Sequence, residues 1–350
     1  MEKPKSPTLA DVARLAKVSN ATVSRVINGL AVVRSDTRMR VERAIEDLGY
    51  WPDERARSLA RGSTRTLGMI VSNLRNHFFL DIFQALEEEA RRHGYDVVIA
   101  NTDYRPERLV RAIEGMTARR VSGLALVVTE LETSVAADLA EHTLPVVLYD
   151  VGEPSANVTK IKLQDYESMR RIVDYLYNQG HRRFAFIGHH ETHDPLQARK
   201  RAFVESMLEY GKSVAYESLA DADSPTGGLS ATRQLIRSAF RPTAIVCLND
   251  FMAVGVLKGL REAGLRVPED VSVTGFDDIS LARFAYPPLT TMAVPREWIG
   301  RSAAAALIPE ADGVRLGEEL LVEPELLIRE STGPVPQPAA AGPWKAVAAR

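Results

Sequence analysis

Two groups of residues in this chain carry chemistry. Asn20, Ala21, Thr22, Ser24 and Arg25 fall close together in the stretch SNATVSRVIN. An amide and a guanidinium read base edges in a DNA major groove, hydroxyls bond phosphates, and an alanine methyl meets the methyl of thymine. The second group is scattered. Asp150, Asn249 and Asp277 each stand just past an apolar run, Asn76, Phe78 and Phe79 follow the first such run, and Arg199 lies in a helical stretch. Planar polar side chains bond adjacent hydroxyls in pairs, and aromatic faces cover the C–H surface of a sugar or the ring of a base. Asp250 and Asp278 share that kind of position, where a carboxylate equally serves to cap the following helix.

The first group needs a helix presented on a small scaffold, and the flanking residues supply one. Leu9, Val12, Ala13 and Ala16 keep helical spacing, with Thr8 as N-cap and Asp11 where a capping-box carboxylate belongs. Lys17-Val18-Ser19 reads as a turn, and Ser19 caps a second helix from Asn20 to Ile27 with Val23, Val26 and Ile27 facing inward. A third helix, capped by Ser35 and running from Thr37 to Leu48, completes a tri-helical head. An ordinary surface hairpin of helices is the alternative, but spacing, both caps and the position near the terminus agree with a helix-turn-helix. After Tyr50-Trp51-Pro52, Asp53 starts a short charged helix that ends near Ala60 and Gly62. Such a helix is marginal in water and orders when something covers it.

The second group needs sheet edges. From Thr66 on, the apolar runs TLGMIVS, YDVVIAN, GLALVVT, PVVLYD, RFAFIG, TAIVCLN and VSVTGFDD alternate with amphipathic helical stretches. Near-continuous apolar strands separated by helices predict parallel sheets covered on both faces. The pattern is too long for one simple doubly wound sheet, so two α/β subdomains with a cleft are expected, with ligands at the carboxyl ends of the strands.

The 350 residues carry a net charge of −2. Residues 1–62 hold 12 Lys and Arg against 8 Asp and Glu, so the head is +4 and the remainder −6. A mildly basic head on an acidic body fits a DNA-binding module joined to a body that binds something else, and the modest excess argues for two heads in a dimer. A single cysteine, Cys247, sits in an apolar run and rules out a disulfide framework within the chain. No apolar run approaches a membrane span and the first residues lack a signal-peptide core, which predicts a cytoplasmic, nucleoid-associated protein. GxGxxG, GxxxxGK[ST] and GxSxG are all absent, so an enzyme reading finds no support, and no cofactor is expected. A transported-solute receptor would need a secretory signal and no DNA-binding head. In GHHETHD, His189, His190 and His193 surround Glu191, but the HExH spacing is one residue short of the metal-binding HExxH, so a polar loop is expected there instead of a metal site.

Residues 8–28 resemble the N-terminal signature of the lactose/galactose repressor (LacI/GalR) family, nearly TLxDVAxxAxVSxxTVSRVxN, and the resemblance continues to about residue 332. It implies an α/β fold with an all-α helix-turn-helix head and a two-subdomain, periplasmic-binding-protein-like core of parallel sheets. The expected parts are a DNA-binding domain over 1–52, a hinge helix and linker over 53–65, an effector-binding and dimerisation core over 66–332, and a disordered Pro- and Ala-rich tail over 333–350. The implied function is repression from a near-palindromic operator by a homodimer, controlled by a small molecule, by default a sugar or sugar derivative, with nucleosides and purines as the other class. Asn20, Ala21 and Arg25 would read bases, while Thr8, Ser19, Thr22, Ser24 and Asn28 would hold phosphates. Leu59, with Ala56 on the same face, takes the place of the minor-groove wedge of the paired hinge helices. Asp150, Arg199, Asn249 and Asp277 take effector-site positions, and Asn76–Phe79 stands where relatives read NPFF, with His77 replacing proline. Val294 stands where the family often has glutamine near the effector pocket, and the run Asp165 to Arg170 lacks both glycines of the usual DNxxGG.

Overall fold

Thr8 and Asp11 close the capping box that starts the head. The Asp11 amide donates to Thr8 Oγ1 at 3.3 Å and the Thr8 amide donates to Asp11 Oδ2 at 2.9 Å, which fixes the first turn of α1 (Leu9–Ala16). Lys17 takes a left-handed conformation with φ 55° and turns the chain. Ser19 Oγ then accepts the Thr22 amide at 3.1 Å at the start of α2 (Asn20–Ile27). The third helix, α3 (Ser35–Leu48), begins two residues before the expected Thr37, and no side chain caps it; Ser35 lies inside the helix and Arg34 precedes it. Val12, Ala13, Ala16, Val23, Val26, Val41 and Ala44 form the head's buried core. The computed structural model describes residues 7–27, 33–51, 64–189 and 196–336. Asn28, Ala56, Leu59, His190 and His193, most of the expected hinge and the end of the expected tail lie outside the described residues. By internal contacts the chain divides into Met1–Thr64 and Arg65–Arg350.

In the second unit, strands and helices alternate from the start: β1 (Thr66–Val71), α4 (His77–Arg92), β2 (Asp96–Asn101), α5 (Pro106–Ala118), β3 (Gly123–Val127), α6 (Thr133–Glu141), β4 (Val146–Tyr149) and β5 (Val158–Leu163). β3 and β4 are buried along their whole length, as both-sided helix cover requires. The chain then enters a second lobe: α7 (Asp165–Asn178), β6 (Arg183–His189), α8 (Leu196–Tyr210), β7 (Ala215–Asp221), α9 (Pro225–Arg237), β8 (Ala244–Cys247), α10 (Asp250–Glu262), β9 (Ser272–Thr274) and α11 (Ser280–Phe284). It returns through β10 (Thr291–Ala293) to α12 (Arg296–Leu307) and β11 (Glu319–Val322), then crosses again through β12 (Glu325–Leu327).

The first lobe is a six-stranded parallel sheet in the order β11-β5-β4-β3-β1-β2, and the second a four-stranded parallel sheet in the order β7-β6-β8-β9. β10 and β12 pair antiparallel as a ribbon. Strand β11 joins the first sheet only after the excursion through the second, and the Val273 amide donates to the Ser331 carbonyl at 2.8 Å, bringing the last segment back to the second lobe. The chain therefore passes between the lobes three times. Helices α9 and α10 meet so closely that a methyl group at Gly255 would overlap the Pro225 carbonyl, and one at Gly228 the Met252 carbonyl.

Candidate functional site

Strand ends from both lobes converge on a cavity of about 40 Å³. Six of the sequence-selected residues line it: Asn76, Phe78, Phe79, Arg199, Asn249 and Asp277. Asn76 stands at the N-cap of α4, its Oδ1 accepting the Phe78 amide at 3.1 Å. That cap fixes where the two phenylalanines emerge. Their rings meet edge to face at 5.3 Å, and Phe78 also meets Tyr149 at 5.9 Å. Asn249 plays the same part for α10, accepting the Met252 amide at 2.9 Å while its Nδ2 donates to Asp223 Oδ1 at 2.8 Å.

Arg199 organises the polar half. Its Nε donates to Asp165 Oδ1 at 2.7 Å, and its Nη1 donates to the Leu248 carbonyl at 3.1 Å and to Asp277 Oδ1 at 3.4 Å. The guanidinium carbon lies over the Phe276 ring, 3.6 Å from its centroid. Burial works against its charge, but Asp165 and Asp277 outweigh burial and hold its pKa above the ordinary value. Asp277 is itself pushed up to about 7, because burial overcomes the help of Arg199 and Arg296.

Five further lining residues were not singled out from the sequence: Tyr104, Thr129, Tyr149, Asp165 and Asp223. Each sits at or just beyond the end of a strand, following β2, β3, β4, β5 and β7 in turn, so the rule that marked Asp150 and Asn249 would have marked them too. Asp165 is the most telling, since only the missing glycines of its run drew notice. Tyr149 Oη and Thr129 Oγ1 are buried with no hydrogen-bond partner among the described residues. Behind Thr129, the fully buried Glu130 accepts the Ser72 hydroxyl at 2.6 Å and the Thr129 amide at 3.1 Å, and bonds Thr102, tying three strand ends together.

Asp150 does not line the cavity; it stands beside it with φ 62°, its Oδ1 accepting the Leu163 amide at 3.1 Å. Burial first, then the neighbouring Asp165, push its carboxyl up to about 8. Asp250 and Asp278 act as ties: Asp250 accepts the Ile279 amide and the Thr291 hydroxyl, and Asp278 pairs with Arg283 and Arg329. Val294 is buried and lines a separate surface groove beside Asp81 and Arg296. His77 opens α4 behind the Asn76 cap. His189 ends β6 with its ring 5.0 Å from that of Tyr104. Among the described residues no group of His, Cys, Asp or Glu is arranged to hold a metal ion.

On the head, Thr8, Ser19, Asn20, Ala21 and Arg25 are exposed, Thr22 and Ser24 half-buried. The Ser19 and Thr22 hydroxyls lie 2.9 Å apart at the start of α2. Elsewhere, on the second lobe, Leu229, Val254, Leu257 and Ala285 line a groove of about 370 Å³ beside Phe284 and Tyr286, which are 85% and 83% exposed.

Residues 8–53 match the bacterial regulatory proteins of the lacI family, and residues 173–332 match a periplasmic binding protein-like domain. The HTH-type transcriptional repressor CytR of Escherichia coli (strain K12) is 34% identical over 331 residues, spanning 94% of this chain and 97% of that protein. The structure of the Lac repressor bound to ONPG in its repressed state aligns with a TM-score of 0.81 at 29% identity, covering 94% of this chain and 100% of that one. A complex of the transcriptional regulator CelR with cellobiose aligns with a TM-score of 0.65 at 29% identity over 93% of this chain and 99% of that one. No helix among the described residues is long and apolar enough to cross a membrane. The chain belongs to the LacI family of bacterial regulatory proteins: it is a DNA-binding transcriptional repressor regulated by a small-molecule effector.

Proposed function

We propose that this repressor senses a carbohydrate or nucleoside in the cavity between its two lobes and transmits its occupancy to a near-palindromic operator held by a homodimer. The observation that carries the reading is the lining itself. Arg199, Asp165, Asn249 and Asp277 offer planar polar groups around a small volume, and Phe78, Phe79 and Tyr149 offer ring surface. The cellobiose complex of CelR supports a sugar. A cavity of about 40 Å³ is far below the roughly 300 Å³ of an ordinary ligand site, so the lobes must part to admit the effector. The three crossings between lobes are the hinges for that motion.

On the DNA side, Asn20, Ala21 and Arg25 are assigned to bases, and Thr8, Ser19, Thr22, Ser24 and Asn28 to phosphates. Leu59, with Ala56, is assigned to the minor groove from a hinge over 53–65 that orders on the operator. The exposed pair Phe284 and Tyr286, set beside an apolar groove, supports a second copy of the chain as partner on the second lobe. A nucleoid-bound, cytoplasmic repressor of this kind has a head over 1–52 and a core over 66–332. The tail expected to be disordered from 333 begins later, since the Gly333 amide donates to Ser272 Oγ at 3.1 Å and the Val335 amide to the Gln179 carbonyl at 2.9 Å.

Selection of duplexes from a random pool by the full chain tests the DNA half. Two inverted half-sites should emerge, and Leu59→Ala should weaken binding to them strongly while leaving effector affinity unchanged. A selected site without two-fold symmetry, or full affinity in Leu59→Ala, would contradict the assignment.

A further inference from the structure

The cavity has a lopsided charge. Three carboxyl groups, Asp165, Asp223 and Asp277, line it against one guanidinium, that of Arg199. Asp150 adds a fourth carboxyl beside Asp165, and the buried Glu130 a fifth behind Thr129. Arg296, the next cation, is already committed outside the lining: it pairs with Asp81 at 2.9 Å and donates to the carbonyls of Asp277 and Asp278.

Arg199 cannot offer the fork that anion recognition uses. A guanidinium grips a phosphate or carboxylate through two neighbouring donors on one edge. Its Nε is spent on Asp165, and its Nη1 on Leu248 and Asp277. Each two-donor edge is therefore broken into by a protein acceptor, and one face is covered by Phe276. Burial pushes Asp277 up to about 7 although Arg199 and Arg296 stand beside it. What remains for a ligand is a mixture: Asp165 Oδ2, and the Tyr149 and Thr129 hydroxyls, all buried without a partner among the described residues, each hydroxyl able to donate or to accept.

We propose that the cleft selects a ligand free of negative charge, an uncharged polyol, glycoside or nucleoside or its amine-bearing analogue, and turns away phosphorylated and carboxylated forms of the same compounds. This rests on the effector reading above and narrows it. A repressor with such a cleft reports the free metabolite, before any kinase or oxidation step has added an anionic group.

Matched sets test it on the full chain by calorimetric titration: glucose, glucosamine, glucose 6-phosphate and glucuronate; ribose and ribose 5-phosphate; adenosine and AMP. In any set whose uncharged member binds, the anionic member should bind about 100-fold or more weakly, the size expected for one added charge a few ångströms from a partly buried carboxylate. The amine should bind at least as well as the parent alcohol. Asp165→Asn keeps the Oδ1 that accepts from Arg199, places its amide where Oδ2 has no partner among the described residues, and should narrow the gap between neutral and anionic members by about tenfold. A phosphorylated or carboxylated member that binds as well as its uncharged partner overturns this inference and leaves the effector reading standing. Binding by no member of any set overturns both.

Discussion

Tyr104 and Asp223 join the two lobes directly, the tyrosine hydroxyl donating to Asp223 Oδ2. Tyr104 comes from the end of β2 in the first lobe and Asp223 from the end of β7 in the second. Asn249 donates to the other oxygen of the same carboxylate, and the Asn73 amide reaches the Asp223 carbonyl at 3.4 Å. Tyr104 and the preceding Asp103 both adopt positive φ, 58° and 59°, a conformation costly for residues other than glycine. The backbone is thus held in a strained turn that delivers one hydroxyl to the facing lobe. Such a link favours the closed arrangement, and effector entry must break it.

Tyr104→Phe should lower the unfolding free energy by about 1–3 kcal/mol, because Asp223 loses a buried donor. It should also shift the core toward the open arrangement, read as a larger radius of gyration by small-angle scattering. Unchanged stability together with unchanged dimensions would remove Tyr104 from the closure account.

Arg199→Leu leaves Asp165 and Asp277 buried without their cation. Breaking a buried ion pair from one side costs about 3–5 kcal/mol, so the variant should be markedly less stable and deaf to effector. Adding Asp165→Asn should recover part of the stability and none of the sensing. A stable, responsive Arg199→Leu would show that the guanidinium is not the organiser of the cavity.

The carboxyls beside the cavity set a pH dependence. In the unfolded chain Asp150 and Asp277 titrate near 3.8, but in the fold they are pushed up to about 8 and about 7 by burial. Between those limits the folded protein holds protons that the unfolded chain has released, so stability falls as pH rises from about 4 to about 8. The unfolding midpoint should be higher near about pH 6 than near about pH 8.5, and Asp150→Asn should flatten the difference. A midpoint that rises over this interval would contradict the assignment.

Gly255→Ala tests the close crossing of α9 and α10. The new methyl group meets the Pro225 carbonyl, which belongs to the backbone and cannot swing aside. A loss of about 1–3 kcal/mol is expected, measured by chemical unfolding, whereas an exposed helical glycine would gain from the same change.

Arg25→Ala should weaken operator binding by about 1–3 kcal/mol and relax the base preference at one position of each half-site. The unfolding midpoint of the effector core should not move, since Arg25 is exposed on the head. Equal losses on every sequence would reassign Arg25 to phosphate contact.

Local rules made the head and the sheets legible. Thr8 with Asp11, and Ser19 before Asn20, are caps whose partners lie three residues away, and the structure has both. The third helix was read two residues short because Ser35 looked like a cap, whereas the helix begins there without one. The apolar runs became parallel strands because helical cover on both faces leaves no polar side to alternate. The cavity was half legible. Asn249, Asp277 and Arg199 are legible from their places in the sequence, and Asp165 and Asp223 follow strands in the same way. What makes them site residues is a pairing across long stretches of chain, Asp165 with Arg199 and Asp223 with Tyr104, which no spacing rule encodes.

The central claim is that one protein couples a cleft ligand to an operator, and reciprocity measures it. The full chain should be titrated with its selected operator duplex, with and without a saturating cleft ligand identified from the matched sets, and the ligand affinity should then be measured with and without that duplex. The ligand should change operator affinity severalfold or more, and the operator should change ligand affinity by the same factor. Equal operator affinity in the two conditions would contradict the claim.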